Sequence, residues 1–280
     1  MTALANTVPA TTPRVLAAGT IALRALANSR GRAEPLADFP DAPYLQAADH
    51  IIWVGVRPRS MHPRMVAVAL PIASGIAVTF DVTSVVPAPH PGHRLVDAPA
   101  FAMRAAALRR RVDLVGAPRG FGHLLVDDTP PFPLDLAAPL VRRFAAALAT
   151  DDCERIEAAA MPLLGLGSGL TPSGDDLVGG ALFARRLLMP CDPAWQHLGE
   201  RIIHIAPTRT HAISAALLAD LIHGATYGVL HALVDALIAA APWATVIDAA
   251  QSLTAIGHSS GWDMLTGFLL ALEPPSLIKA

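Results

Sequence analysis

The sequence predicts an α+β chain in which a β-rich N-terminal part is followed by a mainly helical C-terminal part. Three observations lead there. Short apolar runs bounded by Pro and Gly, the pattern of strands, are confined to residues before 81. From Leu134 onward nearly every segment repeats apolar residues at helical spacing. A length of 280 residues with 53% hydrophobic content suffices for one large or two modest cores.

In chain order, residues 1–12, rich in Ala, Thr and Pro, read as a mobile tail. Arg14–Asn28 has helical spacing. His50–Val56, Met65–Leu70 and Gly75–Phe80 read as strands, making this part a mixed α/β layer or a small barrel. Pro87–Pro91 breaks the pattern, and Ala98–Arg111 then reads as a helix with basic residues at its end. The irregular stretch Gly116–Pro133 precedes a helical run over Leu134–Ala149. Further helices are expected from near Ser173 and over Ala194–Ile205, Thr210–His223, Val229–Ala240, Trp243–Ala255 and Ser260–Leu272. The expected division is a tail (1–12), a mixed β-rich domain (13–130) and a helical domain (131–280).

Net charge is only −2, from 21 basic and 23 acidic residues, so no global field draws nucleic acid or anionic lipid. Any anion site must be local. The positive charge is almost all arginine, suited to bidentate contacts with carboxylate or phosphate, and Lys279 is the sole lysine. Mean hydropathy is +0.44, but alanine supplies much of it, and His223, His231, Asp235 and Pro242 interrupt the apolar runs before they reach spanning length. No membrane segment is expected. The N-terminus lacks the basic and apolar regions of a secretory signal. Cys153 and Cys191 make neither a disulfide framework nor a close metal pair, so the expected compartment is the cytoplasm.

The densest chemical signal is the run from Gly165 to Gly180. Gly165, Gly167 and Gly169 permit positive φ and close backbone approach, and Pro172 suits a first helical turn. A helix starting near Ser173 aims unpaired N–H groups and its positive dipole end at the loop. Gly165, Gly167, Gly169, Thr171, Ser173 and Gly174 thus form a candidate cradle for phosphate or carboxylate, with Asp175 and Asp176 at the helix start. The simpler reading makes Ser173 a helix cap with Asp176 as its box partner.

Ser260-Gly-Trp-Asp-Met-Leu-Thr-Gly267 partly repeats Ser173-Gly-Asp-Asp-Leu-Val-Gly-Gly180. Gly180 and Gly267 each follow an aspartate, Asp176 or Asp263, by one helical turn, leaving room for another backbone. Either the two helix starts converge on one ligand, with Ser260 and Asp263 lining the same pocket as Ser173 and Asp176, or they are two unrelated caps. Arg209 and His211 could neutralise an anion beside the loop or simply form a solvated helix start, and His258 abuts the second Ser-Gly-x-Asp motif. His197, His204, His223 and His231 read as packed or surface residues, because no His-Glu-x-x-His pattern is present. Arg109–Arg111 is a phosphate or partner patch, or simply a solvated helix end. Ser168 and Ser173 do not form a nucleophile elbow.

The Gly-x-Gly-x-Gly-Leu-Thr-Pro-Ser-Gly-Asp-Asp string of residues 165–176, the Thr208–Ser214 stretch and Gly257-His-Ser-Ser-Gly-Trp-Asp263 together resemble the AllH-like family of bacterial proteins. His211 departs from that family, where an apolar or small residue is expected. The resemblance falls within residues 161–272 and implies a subunit of oxamate carbamoyltransferase, which exchanges a carbamoyl group between oxamate and carbamoyl phosphate during allantoin degradation in purine catabolism. On this reading the loop cradles one of these anions. Asp175 and Asp176 act as catalytic carboxylates that hold Mg²⁺, orient a nucleophile or position donors, since bare carboxylates beside a phosphate repel it. Other subunits of the complex are the implied partners. The alternative is a non-catalytic small-carboxylate-binding or scaffold subunit.

Overall fold

The computed structural model describes residues 12–37, 42–73, 75–85, 87–88, 96–150 and 152–273. The tail expected over 1–12 lies outside the described residues except for Thr12, as do Lys279 and most of Pro87–Pro91. The chain divides into two compact units, residues 1–91 and 92–280.

In the first unit, strands β1 (Val15–Ala18), β2 (Arg32–Ala37), β3 (Tyr44–Ala47), β4 (His50–Val56), β5 (Met65–Val68) and β6 (Val78–Thr79) form one sheet in the order β1-β5-β4-β3-β2-β6. Only β4 and β5 pair in parallel; the other neighbours are antiparallel. Helix α1 (Thr20–Asn28) lays Ala22, Ala25 and Leu26 over Leu45, Ile52, Val54 and Val66.

The helix expected over Arg14–Asn28 is therefore a strand followed by a helix. Its alanine-rich run satisfies either period, and the edge of β5 offers Val15–Ala18 the hydrogen-bonding partners that an isolated segment lacks. The sequence reading also passed over β2 and β3. Pro35 disguises β2, and the structure tolerates it because β6 pairs only with Arg32 and Ala33, while a register shift follows Pro35 on the β3 side. Of the strands expected at Met65–Leu70 and Gly75–Phe80, only Met65–Val68 and Val78–Thr79 pair.

The second unit contains α2 (Ala98–Arg109), α3 (Ala138–Leu148), α4 (Cys153–Ala160), α5 (Ser173–Leu188), α6 (Pro193–Ile205), α7 (Ala212–Ile222), α8 (Gly228–Ile238), α9 (Trp243–Thr254) and α10 (Ser260–Ala271). Aspartates 97, 152 and 192 cap α2, α4 and α6 by accepting from backbone N–H groups of the first turn. Residues 98–126 belong to this unit, ahead of the boundary expected at 130, because Phe101, Ala105, Leu108, Phe121 and Leu125 enter the helical core. Among the described residues no helix is long and apolar enough to cross a membrane.

Helices α5 and α10 form the centre of this unit. Ser173–Arg185 and Gly261–Leu272 are buried throughout, as expected for helices enclosed on all sides. Their contact depends on two glycines. A Cβ at Gly267 would sit 1.9 Å from the Leu177 carbonyl oxygen, and one at Gly180 would sit 2.3 Å from that of Met264. Gly267→Ala should therefore force the helices apart and cost about 1–3 kcal/mol, read as a lower midpoint of urea unfolding at unchanged m-value.

Candidate functional site

The loop before α5 uses the backbone freedom its glycines supply: φ is +76° at Gly165, +119° at Gly167 and +103° at Gly169. The Gly174 N–H closes the loop by donating to the Leu166 carbonyl at 2.9 Å. Between these ends, the N–H groups of residues 167–171 donate no hydrogen bond among the described residues, and Ser168 and Gly169 are exposed. The result is a run of free donors at the surface, beside a helix N-terminus.

Asp175 holds this loop in place. Its Oδ1 accepts from the Gly165 N–H at 2.8 Å, and its Oδ2 accepts from the hydroxyl of Ser214 at 2.6 Å and from that of Thr210. Both oxygens of this buried carboxylate are thus occupied. Asp175, expected beside Asp176 as a catalytic or metal-binding group, ties the loop to the start of α7 through these bonds. The capping-box reading of Ser173 and Asp176 does not hold either: Pro172 is the N-cap residue, and no side chain caps α5.

The start of α10 meets the start of α5. Thr171 Oγ1 lies 3.0 Å from Ser260 Oγ, and Ser173 Oγ lies 3.5 Å from Ser259 Oγ. The reading of two unrelated caps is excluded, since α10 too has no side-chain cap. Asp263, fully buried, accepts from the Phe121 N–H at 2.7 Å through Oδ1. The relation is reciprocal: the hydroxyls of Ser260 and Thr171 flank Asp176, and those of Ser173 and Ser259 flank Asp263. One oxygen on each carboxyl, Oδ2 of Asp176 and Oδ2 of Asp263, has no hydrogen-bond partner among the described residues.

Burial dominates the electrostatics of this pair. It lifts Asp176 well above the ordinary carboxyl range, with repulsion from Asp263 adding to the rise and the Ser260 hydroxyl opposing it. Burial also pushes Asp263 up to about 7, against the Phe121 N–H and the two serine hydroxyls. At neutral pH such a pair favours a shared proton or a counter-cation over two bare charges.

The remaining sequence candidates surround this centre or lie apart from it. Arg209 is exposed, and its carbonyl packs so tightly on Gly165 that a Cβ there would lie 2.1 Å from it. His258 is exposed, and its carbonyl accepts from Arg119 at 3.1 Å. His211 is the N-cap residue of α7 but makes no side-chain cap. Arg109 pairs with Glu273, and Arg111 stacks 4.4 Å from the Trp243 ring, so two of the three arginines in that cluster serve the fold. A groove of about 850 Å³ with Arg109, Arg110 and Arg143 in its lining runs past Leu270 and Glu273 at the C-terminal end of α10. His231 packs edge-on against Phe183, and His223 pairs with Glu200 at 3.0 Å. Nowhere among the described residues do three His, Cys, Asp or Glu side chains gather as metal ligands.

Sequence reasoning missed Ser259, Phe121 and Arg119, and it treated Thr210 and Ser214 as part of a general helix start. The doubled serine at 259–260 was a usable signal. Phe121 contributes a backbone N–H, for which its side chain gives no clue.

These roles separate the two adjacent aspartates. Asp175→Ala strands three donors and should lower the thermal midpoint, by about 2–4 °C for each kcal/mol lost. Asp176→Asn removes a like-charge contact and should leave the midpoint unchanged or raised. The pair also predicts a pH dependence. Asp263 titrates near 7 in the folded chain against 3.8 for an ordinary carboxyl, so its stabilising contribution is complete below the lower value and is lost as pH rises through the higher one. Asp176 acts in the same direction. In buffer stripped of divalent ions, thermal scans from about pH 5 to about pH 8 should show a falling midpoint, with the fall reduced in Asp263→Asn.

Residues 163–272, from just before the glycine loop to the end of α10, match the family model described as oxamate carbamoyltransferase subunit AllH, and the chain is AllH-like over this stretch. The match contains both helix starts and every side chain of the acid pair and its hydroxyl ring. No solved structure matches the chain.

Proposed function

We propose that this chain is a subunit of an oxamate carbamoyltransferase-type complex whose Gly165–Gly174 loop receives a small oxyanion, oxamate or carbamoyl phosphate. The observation that carries the reading is the meeting of the α5 and α10 starts directly behind a loop whose N–H groups at 167–171 are free among the described residues. Free backbone donors and a helix N-terminus attract carboxylate and phosphate oxygens without a resident positive charge. The family description independently names a carbamoyltransferase subunit.

In carbamoyl transfer, the amide nitrogen of oxamate bonds to the carbamoyl carbon, the carbon–oxygen bond to phosphate breaks, and phosphate departs with that electron pair. The nitrogen loses a proton. Developing charge on the carbamoyl oxygen needs preorganised donors, a role that suits the loop N–H groups. Arg209, exposed beside Gly165, would pair with a carboxylate or phosphate edge. Ser173, Ser260 and Thr171 would orient the ligand above the acid pair, and His258 would stand at the rim. The reaction would take place in the cytoplasm, in allantoin breakdown, with the other subunits of the complex completing the site.

Calorimetry of the purified chain with oxamate, and separately with carbamoyl phosphate, tests the reading. Binding of at least one is expected, and Arg209→Ala should weaken it about tenfold, as the loss of one charge-assisted hydrogen bond would. Asp176→Asn should abolish transfer by the assembled complex while the fold persists. Absence of binding to both the chain and the complex, or full transfer by Asp176→Asn, would overturn it.

A further inference from the structure

We infer that Asp176 and Asp263 together hold one hard divalent cation of the Mg²⁺ or Mn²⁺ class at the meeting of the α5 and α10 helix starts. Four observations converge on it. Each carboxyl is more than nine-tenths buried, and each leaves Oδ2 without a hydrogen-bond partner among the described residues. The helix starts that carry them meet, with Thr171 Oγ1 3.0 Å from Ser260 Oγ and Ser173 Oγ 3.5 Å from Ser259 Oγ. No Lys, Arg or His side chain pairs with either among the described residues. The hydroxyls of Thr171, Ser173, Ser259 and Ser260 surround them.

Two buried carboxylates left bare would each bear the cost of desolvation plus mutual repulsion. A cation between them relieves both. The donor set is entirely oxygen, which selects hard ions over zinc or copper. With only two carboxylates in the set, Mg²⁺ would keep water or take ligand oxygens, its usual habit at phosphate-handling sites. Asp175 is already held by Gly165, Thr210 and Ser214, whereas Asp176 and Asp263 each leave one oxygen without a partner among the described residues, so the ion is assigned to those two. The assignment therefore moves the metal from the adjacent pair Asp175 and Asp176 to the pair joined across the fold. It builds on the oxyanion reading only in letting ligand oxygens complete the shell; the ion itself is tested with neither oxamate nor carbamoyl phosphate present.

The full chain, stripped by chelator and dialysed, is titrated with Mn²⁺ and followed by electron paramagnetic resonance of the free ion. One Mn²⁺ per chain is expected, displaced by Mg²⁺ in competition. Asp176→Asn and Asp263→Asn should each weaken it at least about tenfold, as loss of a direct ligand does, whereas Asp192→Asn, at a half-buried helix cap, should not. A wild-type measurement guards against variants that fail to fold: saturating Mn²⁺ should raise the thermal midpoint of the unaltered chain. No saturable Mn²⁺ on the wild type, or undiminished binding in both folded variants, overturns the inference and leaves a shared proton as the link between the carboxyls. A saturable ion without any binding of oxamate or carbamoyl phosphate would overturn the proposed function and leave the cation site standing.

Discussion

The approach of α5 to α10 at Gly180 and Gly267 governs the rest of the helical unit. Because a methyl group at Gly267 would lie 1.9 Å from the Leu177 carbonyl oxygen, the two backbones pack in direct contact, and one turn earlier each helix carries a buried carboxyl. These carboxyls belong to Asp176 and Asp263. The same approach therefore also creates an electrostatic difficulty, two buried carboxyls from neighbouring helix starts. Hydroxyls from both helix starts partly answer it, each helix supplying groups that flank the other's aspartate.

Adjacent residues in the Asp-Asp string have divided labour. On a helix, neighbours in sequence point about 100° apart, so Asp175 and Asp176 cannot serve one centre equally. Asp175 turns toward the glycine loop and α7, where three donors consume it. Asp176 turns toward α10. Loop shape thereby rests on Asp175, while Asp176 leaves one carboxyl oxygen without a partner among the described residues.

The AllH-like match spans both helix starts together with the Thr210 and Ser214 hydroxyls that fix the loop. Two contributors to the site region lie before it: the Phe121 N–H on Asp263 and Arg119 on the His258 carbonyl. The segment read as an irregular connection is thus the part of the chain that covers the start of α10.

Local sequence determined what local forces control: the helices after residue 134, the glycine loop, the start of α5 near Ser173, and the echo that offered Ser260 and Asp263 as candidate partners of Ser173 and Asp176. Close-packing glycines at 180 and 267 were legible because their spacing from the aspartates matches one helical turn. Tertiary structure alone decided which period the run from Arg14 would follow, since an alanine-rich segment satisfies either and a strand needs a neighbour for its hydrogen bonds. It alone decided that Asp263 takes a backbone N–H from Phe121, a donor that every residue except proline possesses and that no residue type announces. Above all it decided the pairing of Asp176 with Asp263 rather than with Asp175, because proximity in sequence places two helical side chains on different faces, whereas the crossing of two helices places them on one.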